Sequence, residues 1–137
     1  GIVAPNCVAP VAYCPLTPNN WTAGAEIDAV GSTDVTQNSL VLTVSDANPN
    51  GFGLFLYGLG RAQSSVGNGN LCIASSFTRL PAVVTDASGF GTYAIDFPAL
   101  STPVQNGETW SFQYWLRDVG GAGSNFSNAI EVVFCEQ

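Results

Sequence analysis

The chain contains no lysine, no histidine and no methionine. Only 9% of its residues are charged, against about a quarter in an average domain. Its cations are Arg61, Arg79 and Arg117, so ten acids leave a net charge of −7. Each absence closes a class of chemistry. Without histidine there is no Ser-His-Asp triad, no imidazole base and no histidine metal ligand. Without lysine there is no Schiff base and no P-loop lysine. Three cations in an acidic chain cannot neutralise a run of phosphates, which argues against nucleic acid. A polybasic membrane anchor is missing for the same reason. No apolar run approaches the length needed to span a bilayer, and no basic stretch followed by an apolar one marks a secretory leader. The chain opens on Gly1 and reads as a mature chain or an excised domain.

What remains is 137 residues, 46% of them hydrophobic, enough for one domain with a real core. Four cysteines are present, Cys7, Cys14, Cys72 and Cys135, with no C-x-x-C spacing of the kind that zinc ribbons use. An even count in an acidic, lysine-free chain points to an oxidising compartment, extracellular or at the cell surface, and to as many as two disulfides. Three pairings are possible. Cys7 with Cys14 would close a short local loop, and Cys72 with Cys135 would tie two expected strands together; spacing does not choose between them.

Fifteen glycines and eight prolines are scattered through the chain, leaving little room for helices, whereas period-two alternation is frequent. It is visible at 25–30, 39–45, 91–97, 109–117 and 129–135. In 109–117 Trp110, Phe112, Tyr114 and Leu116 share one face, and in 129–135 Ile130, Val132 and Phe134 do so. The run 53–58, GLFLYG, suits a strand buried on both faces, and 70–75 and 79–85 are short strand-like pieces. Turn signals stand at NPNG (48–51), GNGN (67–70), ASG (87–89) and NG (106–107). The expectation is an all-β, antiparallel sandwich of about eight strands, immunoglobulin-like or jelly-roll-like, over residues 21–137. Residues 1–20, rich in proline and without alternation, read as an extended arm pinned by Cys7 and Cys14.

Several segments then form an ordered series: AYC at 12–14, GLFLYGLGRA at 53–62, GNGNLCI at 67–73, DASGFGTYAIDF at 86–97, WSFQYWLRD at 110–118 and FSNAIEVVFC at 126–135. Together they resemble a β-rich domain that recurs at the C-termini of secreted proteins from planctomycetes and myxobacteria. The resemblance covers most of 12–135 and implies export and a β-rich fold, with no particular chemistry attached. Two positions depart from that pattern. Ala87 stands where the family carries a cysteine, and Val119 stands where it carries a proline after Arg-Asp, so the pairing of Cys72 is not carried over.

Candidate sites are few. Paired carboxylates, the minimum for glycoside hydrolysis, are offered by Glu26 with Asp28 and by Asp118 with Glu131. Glu26 and Asp28 share a strand face, and Asp118 follows Arg117 at a strand end, so these read as solvated edges and local ion pairs. The stretch DANPNG at 46–51 matches the start of a calcium loop through Asp46, Asn48 and Asn50, but Tyr57 occupies the twelfth position, where glutamate belongs. A turn is the plainer reading, and no other cofactor is implied. On 109–117, Trp115 lies opposite the apolar face, with Ser111, Gln113 and Arg117. Trp115, joined by Trp21 and Tyr57 with Gln113 and Arg117 as hydrogen-bonding neighbours, is the candidate for stacking on a sugar ring or anchoring a protein.

These features predict no enzyme. They predict a secreted structural or interaction domain that associates with identical subunits, or with other surface components, through its apolar arm. Ile2, Val3, Val8 and Val11 would add a strand to a neighbour's sheet edge and build a filament. The alternatives are a carbohydrate-binding module using exposed aromatics, with a polysaccharide as partner, and a sorting or display domain. Neither nucleic acid nor membrane insertion is expected.

Overall fold

In the computed structural model, which describes residues 7–74, 76–118 and 123–135, the chain is all-β with antiparallel sheets. Eleven strands follow in order: β1 (Val11–Tyr13), β2 (Glu26–Val30), β3 (Val41–Ser45), β4 (Phe52–Gly58), β5 (Arg61–Val66), β6 (Gly69–Ile73), β7 (Thr78–Arg79), β8 (Val83–Val84), β9 (Gly91–Ala94), β10 (Thr109–Arg117) and β11 (Ser124–Val133). The count exceeds the expected eight because β1 and β5 form in stretches without clear alternation and the piece at 79–85 divides into the two-residue strands β7 and β8. The large sheet has the order β1-β11-β10-β4-β7, with β8 also on β4. The small sheet has the order β2-β3-β9, and β5–β6 stands as a separate ribbon.

The two sheets share one core because their strands alternate. From the large sheet come Phe55 and Tyr57 of β4, Trp110, Phe112, Tyr114 and Leu116 of β10, and Ile130 and Val132 of β11; Ile27, Leu42 and Val44 face them from the small sheet. Rings interlock within this layer, Phe55 against Tyr114 at 4.8 Å and Tyr57 over Phe112 at 5.9 Å between centroids. Each such side chain contributes about 1.5–3 kcal/mol through burial, and the residues of 109–117 and 129–135 expected to share a face are the ones buried in this core. Position 53 must be glycine: a Cβ there would collide with the Tyr114 ring and the Trp115 carbonyl.

Of the N-terminal segment, residues 7–20 are described, and they are held to the body. Val11, Ala12 and Tyr13 pair with Glu131, Ile130 and Ala129, making β1 the edge strand of the large sheet. Cys7 is bonded to Cys135 and Cys14 to Cys72, across sequence separations of 128 and 58. Neither of the two pairs weighed from the sequence forms; both observed bonds fasten the leading segment to the body. Ile2 and Val3 lie outside the described residues.

Candidate functional site

The outer face of the large sheet carries the most distinctive surface. Alternation in β4 turns Leu54 and Leu56 outward, and in β10 it turns Trp115 outward beside Leu54. The β10–β11 register shifts between Gln113 and Trp115, which brings Phe126 opposite Trp115. At that shift the Tyr114 N–H donates to Ser127 Oγ (2.9 Å), so a side chain replaces a lost ladder bond. Hairpin β5–β6 folds over this face and adds Val66 and Leu71, and Phe77 closes the far side. The result is a groove of about 310 Å³ whose lining is apolar apart from Arg79 at its rim.

The hairpin wall is held by a polar clamp. Gln113 is fully buried. Its Oε1 accepts from Cys72 N–H (2.9 Å), and its Nε2 donates to the carbonyls of Asn70 and Ser127 (both 2.7 Å). The Tyr13 hydroxyl donates to the Cys72 carbonyl (2.7 Å), and Cys14–Cys72 adds a covalent tie. Arg61 grips Glu131 with two bonds of 2.9 and 3.0 Å and lies 4.4 Å above the Tyr13 ring. The Arg61 guanidinium holds the Glu131 carboxyl below the usual carboxylate range, and burial pushes the Tyr13 hydroxyl up.

Two of the residues expected at a binding site are internal instead. Gln113 belongs to the clamp because the hairpin covers the polar row on which it lies. Tyr57 points into the core, 1% exposed, and its hydroxyl donates to the Thr102 carbonyl (2.7 Å). Trp115 is half-buried on the groove floor, and Arg117 is exposed further along the same face. Trp21 is exposed, in a bend ordered by the Asn19 side chain, and does not line the groove. Val8 and Val11 are exposed but sit on or beside the chain's own edge strand.

Asp46 and Asn50 are exposed and adopt left-handed backbone angles (φ 57° and 49°). The polar groups around them serve mainly the chain itself: the Asp46 carbonyl accepts from Asn19 and Thr22 side chains, and Asn48 Nδ2 donates to the carbonyls of Phe52 and Arg117. Among the described residues no three His, Cys, Asp or Glu side chains gather as a metal site. The Asp118–Glu131 pair is no pair. Asp118 is buried and takes hydrogen bonds from Asn125 and Asn68 side chains and Asn20 N–H, whereas Glu131 is committed to Arg61. Glu26 and Asp28 do share an exposed face, on the rim of an open cleft beside Pro10 and Ala12 of the N-terminal edge.

Sequence reasoning missed Leu54, Leu56, Val66, Leu71, Phe77, Arg79 and Phe126 as parts of a site. Part of the signal was there, since a strand apolar on both sides needs a cover on both. The bulge that brings up Phe126 has no such signature. Phe52 and Val84, cross-strand neighbours 58% and 62% exposed, extend the apolar stripe beyond Leu54. Such a stripe marks an interaction surface more than a catalytic one. Among the described residues that line the groove none carries a carboxylate, hydroxyl or thiol, and few of them offer the polar groups that fix sugar hydroxyls.

Comparison with family models, with curated proteins and with solved structures finds no match to the chain. Among the described residues no helix is long and apolar enough to cross a membrane.

Proposed function

We propose that this chain is a non-catalytic, secreted interaction domain of sandwich type that assembles with copies of itself. The groove floored by Trp115 receives the apolar residues Ile2 and Val3 of a neighbour. The observation that carries this reading is the groove's lining, which suits aliphatic side chains and little else. Distance makes the contact intermolecular. Cys7 is tied to Cys135, nine residues along from Phe126, or about 30 Å of extended strand. Ile2 precedes Cys7 by five residues, a reach of about 17 Å at full extension, so a chain cannot fill the Trp115 end of its own groove. The Cys7 anchor and the Trp115 end of the groove lie toward opposite ends of one sheet, so a contact between copies would run head to tail and propagate rather than close. The two disulfides support an oxidising, extracellular setting.

Sedimentation velocity over a concentration series tests the proposal. The full chain is expected to associate, and removal of residues 1–6 or Trp115→Ala is expected to return it toward monomer. A strictly monomeric full chain, or association indifferent to both changes, overturns it. A second reading, polysaccharide binding, rests on Trp115 lying half-exposed near Arg117; retention on a polysaccharide that Trp115→Ala abolishes would favour it instead.

A further inference from the structure

Hairpin β5–β6, which supplies Val66 and Leu71 to the groove wall, belongs to neither sheet. Strand β5 is exposed along its length except at the half-buried Ala62. Beneath the hairpin, Leu56, Ile73 and Phe126 form a small cluster with Leu54, Leu71, Phe77 and Trp115, separate from the core between the sheets. A unit with an exposed strand and few buried apolar partners opens at lower free energy than the body it rests on.

The fastenings of this unit converge on Cys72. Its N–H donates to Gln113, its carbonyl accepts from Tyr13, and its sulfur is bonded to Cys14. The turn adds a bond from Asn68 N–H to the Ser124 carbonyl (2.8 Å). Tyr13 and Cys14 stand together at the end of the edge strand β1, and Arg61 of β5 lies over the Tyr13 ring. The disulfide therefore keeps the end of β1 within reach of both hairpin strands. Without it, the bond from the Tyr13 hydroxyl and the ring contact lose the short tether that concentrates their partners. Cys14 is partly exposed, so a thiol in solution reaches the bond from that side.

Resting on the self-association proposed above, we infer that Cys14–Cys72 is a redox latch on the groove. While the bond is intact the wall is closed and the groove receives a neighbour; reduction releases the hairpin and dissolves the assembly. The reductant is a dithiol. One of its thiolates attacks Cys14 Sγ, forming a mixed disulfide and freeing the Cys72 thiolate, and its second thiol then displaces Cys14. Two electrons and two protons pass to the pair, which ends as two thiols, and the dithiol closes as a disulfide. Association is thereby confined to oxidising surroundings, where the bond persists.

The test adds dithiothreitol to the folded full chain carrying Trp21→Phe. Its fluorescence then comes from Trp115 and from Trp110, which is 5% exposed, so added quenching by acrylamide reports Trp115. Alkylation with mass spectrometry times the opening of each disulfide. As Cys14 and Cys72 become alkylated, quenching is expected to rise about twofold while far-UV circular dichroism keeps most of its signal, and sedimentation is expected to show association weaker by about tenfold or more. Cys14→Ala with Cys72→Ala is expected to match the reduced chain without reductant. Cys7→Ala with Cys135→Ala is expected to leave Trp115 as protected as before. Quenching that stays unchanged once Cys14 and Cys72 are alkylated overturns the latch, because the wall then stands without the bond. Quenching that rises only together with loss of the far-UV signal overturns it too, because the bond then staples the whole fold. Association that survives an opened wall also overturns it. A monomeric oxidised chain overturns the self-association reading and the assembly half of this inference, and Trp115 quenching alone then decides whether the bond holds the wall.

Discussion

Tyr57 and Tyr114 offer the same substitution in the same core with opposite expected outcomes. Both are essentially unexposed and both rings pack against a phenylalanine in the layer between the sheets, Tyr114 edge-on to Phe55 and Tyr57 stacked on Phe112. The Tyr57 hydroxyl donates to the Thr102 carbonyl at 2.7 Å and takes a bond from Thr102 N–H at 3.3 Å. The Tyr114 hydroxyl has no partner among the described residues. An unsatisfied buried hydroxyl costs about 1–3 kcal/mol, so Tyr114→Phe removes that cost while keeping the ring against Phe55. Allowing for the small void left by the oxygen, a net gain of about 1 kcal/mol is expected, or roughly 3 °C in Tm for a chain of this size. Tyr57→Phe strands two Thr102 groups and is expected to lose about 1–2 kcal/mol. Urea titration reads both as shifts of the midpoint at constant slope. Alkaline pH supplies an independent check. Burial pushes the Tyr114 hydroxyl up to about 12, above its unfolded value near 10. The folded state therefore holds its proton where the unfolded state has released it, and stability falls as pH rises from about 10 to 12. That loss is expected to shrink in Tyr114→Phe. If Tyr114→Phe costs more than about 1 kcal/mol, the hydroxyl has a partner and the reasoning is refuted.

Gln113→Leu leaves Cys72 N–H and the carbonyls of Asn70 and Ser127 without their partner; a loss of about 3 kcal/mol is expected by urea unfolding, and near-wild-type stability would dismiss the clamp. Opening Cys14–Cys72 by Cys14→Ser with Cys72→Ser frees a loop of 58 residues, for an expected loss of about 4 kcal/mol, with hydrogen exchange rising first in the 61–73 hairpin. The Asp86 carboxyl is held below the usual range, chiefly by Phe90 N–H and then by the Ser88 hydroxyl and N–H. A depressed folded value means stability that is present above the unfolded carboxylate range and lost as pH falls through the lower folded value. Asp86→Asn is expected to flatten that acid limb, and an unchanged limb would contradict it.

Much of the architecture was legible because one physical signal, alternation, recurs where strands bury one face. Residues 109–117 and 129–135 show it cleanly, and both became long neighbouring strands. Alternation assigns a residue to a side of its sheet, though, and says nothing of what lies over that side. Gln113 therefore read as exposed among Ser111 and Arg117, yet a hairpin from 61–73 covers it. Tyr57 lay in a run apolar on both sides, so its direction could not be chosen from the run alone. Disulfide pairing was illegible for a related reason: Cys7 meets Cys135 only once β1 is laid along β11, and nothing in 1–20 alternates enough to announce that strand. The groove itself depends on a bulge at Ser127, a one-residue irregularity with no compositional mark.

The central claim is that Ile2 and Val3 of one copy occupy the Trp115 groove of the next. Mixing a Val3→Cys chain with a Leu71→Cys chain under mild oxidation tests it most directly, with Thr92→Cys on the small sheet as control. The account predicts a mixed disulfide-linked dimer with Leu71→Cys and none with Thr92→Cys. Absence of that dimer at concentrations where the chain associates, or equal linking to both positions, would contradict it.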